Sequence, residues 1–327
     1  MGCILRLTAT RKQSKARIRG SVTPAVLLLL AWELAAPAQD SPPAGSSLRV
    51  DVDLVLLQVT VTDASGRFLR GLKAENFRVY DNGVEQAIHH FTTEDLPFSM
   101  GLVLDRSGSM TMMIDEVYQA AFHTIKASKS ADEFFISTFN EVFEMRQDLS
   151  TDRELLEKRL KGVVADGRTA LYDAVLTAVQ HIQKGRYDKK ALLVVTDGAD
   201  NSSRIYFSDL LDRIRQENVV IYVVGLFGMA SKVGLDLERE STVRELTELA
   251  EATGGQAYFP RTMKECEQAC VAIAEELRQQ YGLGYYPHPR QRDGSWHTLQ
   301  VQLELPADLS GKAPTPRTRT GYFAPRD

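Results

Sequence analysis

Three stretches of this 327-residue chain are too continuously apolar to have a polar side: Phe98-Ser-Met-Gly-Leu-Val-Leu104, Lys190-Ala-Leu-Leu-Val-Val-Thr196 and Val219-Val-Ile-Tyr-Val-Val-Gly225. A strand of that kind is covered on both faces, the position of a central strand in a parallel sheet. Glu133–Phe139 reads as a further strand and Ala257–Phe259 as a short one. Helical patterns fall between and after them, at about 111–128, 152–161, 170–184, 207–217, 242–252 and 262–280. Strands alternating with helices predict an α/β fold, a doubly wound and mostly parallel sheet with helices on both faces. In such sheets ligands bind outside the carboxyl ends of the strands.

The flanking sequence has another rhythm. Val50, Val52, Leu54 and Leu56 share one face, and the apolar phase then slips to Leu57, Val59 and Val61, as at a β-bulge. Phe77–Tyr80 and Val84–Ile88 enclose Asp81-Asn82-Gly83, a hairpin signal. Strand patterns return in Tyr281–Tyr286, Trp296–Leu305 and Arg317–Phe323. Neither flank alone is long enough to bury a good core. Residues 48–95 and 282–327 are therefore expected to form one small antiparallel β-sandwich, with the α/β domain, 96–281, inserted between its halves. Tyr285, Tyr286, Trp296, Tyr322 and Phe323 are expected in that sandwich core.

Residues 1–38 read as an address. Six basic side chains (Arg6, Arg11, Lys12, Lys15, Arg17, Arg19) precede the apolar stretch Ala25–Trp32, and small residues follow at Ala35-Ala-Pro-Ala38. That order reads as a secretory signal with cleavage expected after Ala38, an uncleaved membrane anchor being the alternative, followed by a flexible Ser/Pro linker at 39–47. Glu33 interrupts the run, which is shorter than the roughly 20 residues a spanning helix needs. No membrane span is expected after signal cleavage, and the protein is expected to be exported, to the periplasm or the extracellular space. Beyond the leader the chain has 33 basic against 42 acidic residues, a balance of −9. Such a surface argues against nucleic acid as a partner.

The chemistry lies in three loops that leave buried strands: Asp105-Arg-Ser107-Gly-Ser109-Met110, Asp166-Gly-Arg-Thr169 and Asp197-Gly-Ala-Asp200. They offer carboxylates and hydroxyls without His or Cys, a hard oxygen set that suits Mg²⁺, Mn²⁺ or Ca²⁺ and disfavours Zn²⁺ and Cu. Two carboxylates balance a divalent charge, and neutral hydroxyls leave the ion able to accept an outside anionic oxygen.

Asp105-x-Ser107-x-Ser109, with Thr169 and Asp197, resembles the metal-ion-dependent adhesion site of von Willebrand factor A (VWA) domains. The wider chain, about 48–327, resembles the bacterial VWFA-related proteins described from acidobacteria. The matching features are Val59-Thr-Val-Thr-Asp63 with Gly66, Asn76-Phe77 with Tyr80, Asp81-Asn-Gly83, Tyr281 to Tyr286, Asp293-Gly294 and the ending Gly321-Tyr-Phe-Ala-Pro325. The resemblance implies a VWA fold in which Ser107, Ser109 and Thr169 bind the ion directly. Asp105 and Asp197 would bind it directly or through water, with Mg²⁺ as the leading ion. It further implies that a protein partner supplies an Asp or Glu as the last ligand, in adhesion or another protein–protein interaction. In related A domains rearrangement at the metal is coupled to displacement of the last helix, here 262–280.

The remaining residues carry plainer expectations. Asp173 at a helix start and Asp200 at the edge of the site are expected as solvated or capping residues, with outer support of the site the alternative for Asp200, while Arg106 and Met110 flank the site within reach of a partner. Cys266 and Cys270, four apart on one helix face, are expected as packed thiols rather than a bridge. The six His (His89, His90, His123, His181, His288, His297) lack metal spacing and read as surface or packed imidazoles. An enzyme reading, as a Mg²⁺-dependent phosphohydrolase or a Ser-nucleophile hydrolase, finds no phosphate-cradling G-x-x-x-x-G-K-[ST] loop and no G-x-S-x-G elbow. The sequence reads as a non-enzyme. A structural assembly subunit is the other alternative.

Overall fold

The computed structural model describes residues 54–93, 95–227, 236–305 and 314–326. The expected leader, the linker and the strand positions Val50 and Val52 lie outside them. Four strands come first: β1 (Val55–Thr62), β2 (Phe77–Asp81), β3 (Val84–Gln86) and β4 (Ile88–Thr92). The α/β region follows with β5 (Ser99–Asp105), α1 (Ile114–Ala127), β6 (Glu133–Phe139), β7 (Phe143–Ser150), α2 (Arg153–Arg159), α3 (Leu171–Ile182) and β8 (Lys190–Thr196). Next come α4 (Phe207–Ile214), β9 (Val220–Gly225), α5 (Asp236–Ala252), β10 (Ala257–Tyr258) and α6 (Met263–Gln279). β11 (Tyr281–Tyr285), β12 (Trp296–Leu303), β13 (Thr315–Arg317) and β14 (Gly321–Phe323) end the described chain.

The central sheet runs β10-β9-β8-β5-β6-β7. Its pairings are parallel except for β7, which lies antiparallel on β6. Every residue of β5 is buried, as its unbroken apolar run requires. Leu102 and Leu104 meet α1 and α6 through Tyr118, Ile125 and Ile273 on one face. Val103 and Leu192 meet α3, α4 and α5 through Val175, Leu210 and Leu249 on the other. β7 is not foreseen by the sequence reading. It is a half-exposed edge strand in which Phe143, Met145 and Leu149 alternate with charged residues, and the alternation is broken where its register shifts.

Two antiparallel sheets accompany the central one, in the orders β13-β1-β11-β4 and β14-β12-β2-β3. Each combines strands from before and after the α/β region. They share a core that includes Leu57, Val59, Phe77, Val79, Leu283, Tyr285, Val301 and Tyr322. Asn82 and Gly83 have positive φ between paired Asp81 and Val84, which makes the hairpin turn.

The expected phase slip at Leu57 does not occur among the described residues. Val55 to Val59 pair with Tyr285 to Tyr281 in unbroken register, and Val55, Leu57, Val59 and Val61 all face the core. Leu56 is apolar for a different reason. A Cβ on Gly284 of the neighbouring strand would stand only 3.2 Å from Leu56 Cδ2, so this leucine covers bare backbone on the outer face.

Within this core Asp81 is buried and accepts hydrogen bonds from Tyr285 Oη and Tyr322 Oη, each at 2.8 Å, and pairs with His297 Nδ1 at 2.6 Å. Of the five tail aromatics only Tyr285 and Tyr322 are fully inside, and Tyr286 is exposed.

α6 begins at Thr262, whose hydroxyl accepts the Glu265 N–H. Cys266 and Cys270 are buried free thiols between α6 and α1. Near the end of α6, buried Glu276 accepts hydrogen bonds from Thr60 Oγ1 of β1 at 2.9 Å and Tyr222 Oη of β9 at 2.8 Å, and it pairs with Arg317 of β13. Among the described residues no helix is long and apolar enough to cross a membrane.

Candidate metal centre

Parallel pairing brings the carboxyl ends of β5 and β8 side by side, with Leu104 opposite Val195. Asp105 therefore stands beside Thr196 and Asp197. Asp105 is fully buried. Its Oδ1 accepts the Ser107 N–H at 2.7 Å and its Oδ2 accepts Thr196 Oγ1 at 2.6 Å. Loss of solvation pushes its pKa up to about 6 against the ordinary 3.8, with a smaller push from the Asp197 charge; the two hydrogen bonds oppose the rise.

Ser107 opens a short 3₁₀ turn, Gly108–Met112, which folds Ser109 back towards it. Their Oγ atoms are 3.1 Å apart, and Ser109 Oγ donates to Asp197 Oδ1 at 2.8 Å. Burial also raises the Asp197 pKa. Its Oδ2 is buried and has no hydrogen-bond partner. A carboxylate oxygen withdrawn from water with nothing to receive is costly, and it is the kind of atom a bound cation satisfies.

Thr169 arrives on the loop after α2. Asp166 N–H donates to Arg106 O at 2.9 Å and Gly108 N–H to Gly167 O at 3.0 Å, stitching this loop to the Ser107 turn. Gly167 has φ +78°, a left-handed backbone that favours glycine, and a Cβ there would also crowd the Glu141 and Asn140 side chains. Thr169 is buried, and its Oγ1 lies 3.9 Å from where a Cβ on Gly198 would be. Asp105, Ser107, Ser109 and Asp197 thus form one hydrogen-bonded chain. Thr169 makes no hydrogen bond with them and stands across Gly198 from Asp197.

The supporting residues escape a motif search. Thr196 holds Asp105. Asn140 donates to Asp166 O at 3.1 Å and receives the Ala170 N–H, while Asn201 Oδ1 accepts the Thr169 N–H at 3.0 Å. The only signal for them in the sequence is a polar residue at the end of a buried strand or just beyond it. Asp200 accepts the Tyr172 N–H and Ser203 Oγ, and Asp173 accepts the Arg204 N–H, so both tie the loop after β8 to the start of α3.

Met110 does not flank the site on the outside. The 3₁₀ turn rotates it fully into the core. Arg106 is mostly buried and paired with Asp166. The exposed apolar side chains on the surrounding loops are Met112 (87%), Val142 (63%), Val164 (75%) and Tyr206 (77%). Among the described residues no three His, Cys, Asp or Glu side chains gather as a metal cluster. The donor set here is two carboxylates and three hydroxyls, which fits a hard divalent cation.

A doubly wound sheet with an all-oxygen site at the carboxyl edge of its central strands defines the class. The von Willebrand factor type A domain family matches residues 100–269, and the chain belongs to that family. No curated protein matches it in sequence. Among solved structures, a von Willebrand factor type A protein from Catenulispora acidiphila is similar at 10% identity and a TM-score of 0.49, covering 84% of this chain and 74% of that one. BatB from Bacteroides thetaiotaomicron is similar at 13% identity and a TM-score of 0.44, over 55% of this chain and 97% of its own. Proximal thread matrix protein 1 of the mussel byssus, solved with zinc in its MIDAS motif, is similar at 14% identity and 0.45, over 60% and 49%.

Proposed function

We propose that this chain is an exported binding module. Ser107, Ser109 and Thr169, with Asp105 and Asp197 directly or through water, would hold a divalent cation, Mg²⁺ foremost and Mn²⁺ or Ca²⁺ in its place. Bound there, the cation supplies a Lewis-acidic pole to which an Asp or Glu of a protein partner adds as the last ligand. The observation that carries this reading is Asp197 Oδ2, buried without a partner beside two serine hydroxyls. The exposed apolar residues of the encircling loops give a partner area to cover around that point. A hydrolase reading is disfavoured because Ser107 and Ser109 are engaged with each other and Asp197, and no imidazole stands among the described site residues.

Titration of the purified protein with Mn²⁺, followed by electron paramagnetic resonance, tests the metal. One site per chain is expected, weakened at least tenfold by Asp197→Ala and competed by Mg²⁺. An Asp-containing peptide should perturb the bound-Mn²⁺ spectrum where its Asn counterpart does not. A wild-type protein that binds no Mn²⁺ at millimolar concentration would remove the proposal.

A further inference from the structure

Far in sequence from the metal loops, the segment Thr318–Arg319 between β13 and β14 lies tight against the turn after α5. A Cβ on Gly254 would stand 2.7 Å from Arg319 N, so the backbone there is fixed. Arg319 Nε is buried and has no hydrogen-bond partner. Among the described residues its guanidinium forms no ion pair; the Tyr322 ring lies 5.6 Å from its Cζ, and Tyr285 is also close enough to act on its charge. Loss of solvation lowers its pKa, and no carboxylate acts against that effect. Glu217 lines an adjoining crevice that Arg319 shares with Gln58, but that crevice measures about 10 Å³, room for one water at most, and Glu217 makes no ion pair with the arginine.

The same arginine lines a much larger cleft of about 360 Å³, within the range of small-molecule sites. Leu54, Leu56, Phe323 and Pro325 supply an apolar wall. Asn218, Gln216 and Gln291 supply amide groups to the same cleft, which Arg290 also lines. An uncompensated guanidinium withdrawn from water is retained only at a cost. Its fork of N–H donors matches a carboxylate in a two-pronged bond. One unpaired positive charge, amide donors and an apolar wall together describe a receptor for a single negative charge on a hydrocarbon body.

We propose that this cleft binds a small organic monocarboxylate, with Arg319 receiving the carboxylate and Leu54, Leu56, Phe323 and Pro325 receiving the apolar portion. The site stands apart from the metal centre and needs no cation.

The test is calorimetric titration of the purified protein with octanoate, with octanol and inorganic phosphate as controls. Each is measured in Mg²⁺ and in chelator. Octanoate should bind one site with sub-millimolar affinity, unchanged by chelator and by Asp197→Ala, while octanol and phosphate should bind at least tenfold more weakly. Arg319→Gln should lower octanoate affinity at least tenfold. Should that variant not fold, Asn218→Asp carries the test. It sets a competing carboxylate in the cleft and should weaken octanoate at least tenfold while raising the thermal midpoint. Absence of octanoate binding, equal binding of octanol or phosphate, dependence on Mg²⁺, or undiminished binding in a folded Arg319→Gln or Asn218→Asp would each overturn the proposal. A failure of the metal centre shows instead in the Mn²⁺ titration, which this cleft does not affect.

Discussion

Asp105→Asn should make the metal-free protein more stable at neutral pH while removing its response to cations. The carboxyl titrates at about 6 in the folded chain and at 3.8 when unperturbed. The gap of about 2 pH units corresponds to about 3 kcal/mol at 1.36 kcal/mol per unit. The sign follows from the raised pKa. Between pH 4 and 6 the native state holds the proton more tightly than the unfolded state, so stability is full below about pH 4 and falls as pH rises to 6. At pH 7 the whole penalty of the buried charge is present.

Asparagine keeps an acceptor for the Ser107 N–H and turns an amide N–H₂ towards Thr196 Oγ1, which must accept it and redirect its own proton to Gly198 O at 3.3 Å, a weaker arrangement that costs roughly 1 kcal/mol. The net gain is about 2 kcal/mol, or about 3 °C in thermal midpoint for a protein of this size. The assay is thermal unfolding of both proteins in chelator from pH 4 to 8, repeated in excess Mg²⁺. Asp197 titrates in both and feels the Asp105 charge, so the difference between the two curves reports Asp105 together with that coupling. Wild type should decline more steeply than the variant between pH 4 and 6. In Mg²⁺ only wild type should gain. Parallel profiles in chelator, or a variant less stable at pH 7, would refute the assignment of the strained charge to Asp105.

Two further outcomes follow from the core. Lys189 is buried, donates to Leu277 O at 2.8 Å, and burial brings its pKa down to about 8 from 10.5. The unfolded chain therefore binds more protons between pH 8 and 10.5, and stability should rise with pH in that window by up to about 3 kcal/mol. Urea titrations of wild type and Lys189→Met should show that rise in wild type only. A Cβ on Gly255 would meet the Ile221 carbonyl oxygen at 1.9 Å, a backbone atom that cannot rotate away. Gly255→Ala should cost about 3 kcal/mol or more, and a urea midpoint within error of wild type would contradict the packing of α5 and β10 on β9.

The parallel sheet is legible in the sequence because burial on both faces leaves its mark on nearly every residue of β5, β8 and β9. β7 is not, because an edge strand buried on one side, with a broken register, looks locally like a polar loop. The apolar positions of β1 suggest the wrong phase, since Leu56 lies over a glycine on the neighbouring strand and neither chain segment alone reveals the other. Asp105, Ser107, Ser109, Thr169 and Asp197 can be named from spacing and resemblance. The residues that hold them, Thr196, Asn140 and Asn201, cannot, because hydrogen-bonding partners 26 to 91 positions away leave no local pattern. Met110 is misplaced outward by the sequence because a 3₁₀ turn advances side chains by 120° rather than 100° per residue, which turns it beneath the loop.

Glu276 makes the last helix a fastened element. A shift of α6 along its axis would pull a single buried carboxylate away from Thr60, Tyr222 and Arg317 at once, leaving the acid without company and the guanidinium with Gln256 alone. Breaking such a pair costs about 3–5 kcal/mol, comparable to the whole margin by which many domains stay folded. The helix therefore has no gradual travel. It is either seated or released, and tension applied through the flanking sheets would meet a threshold there rather than a spring.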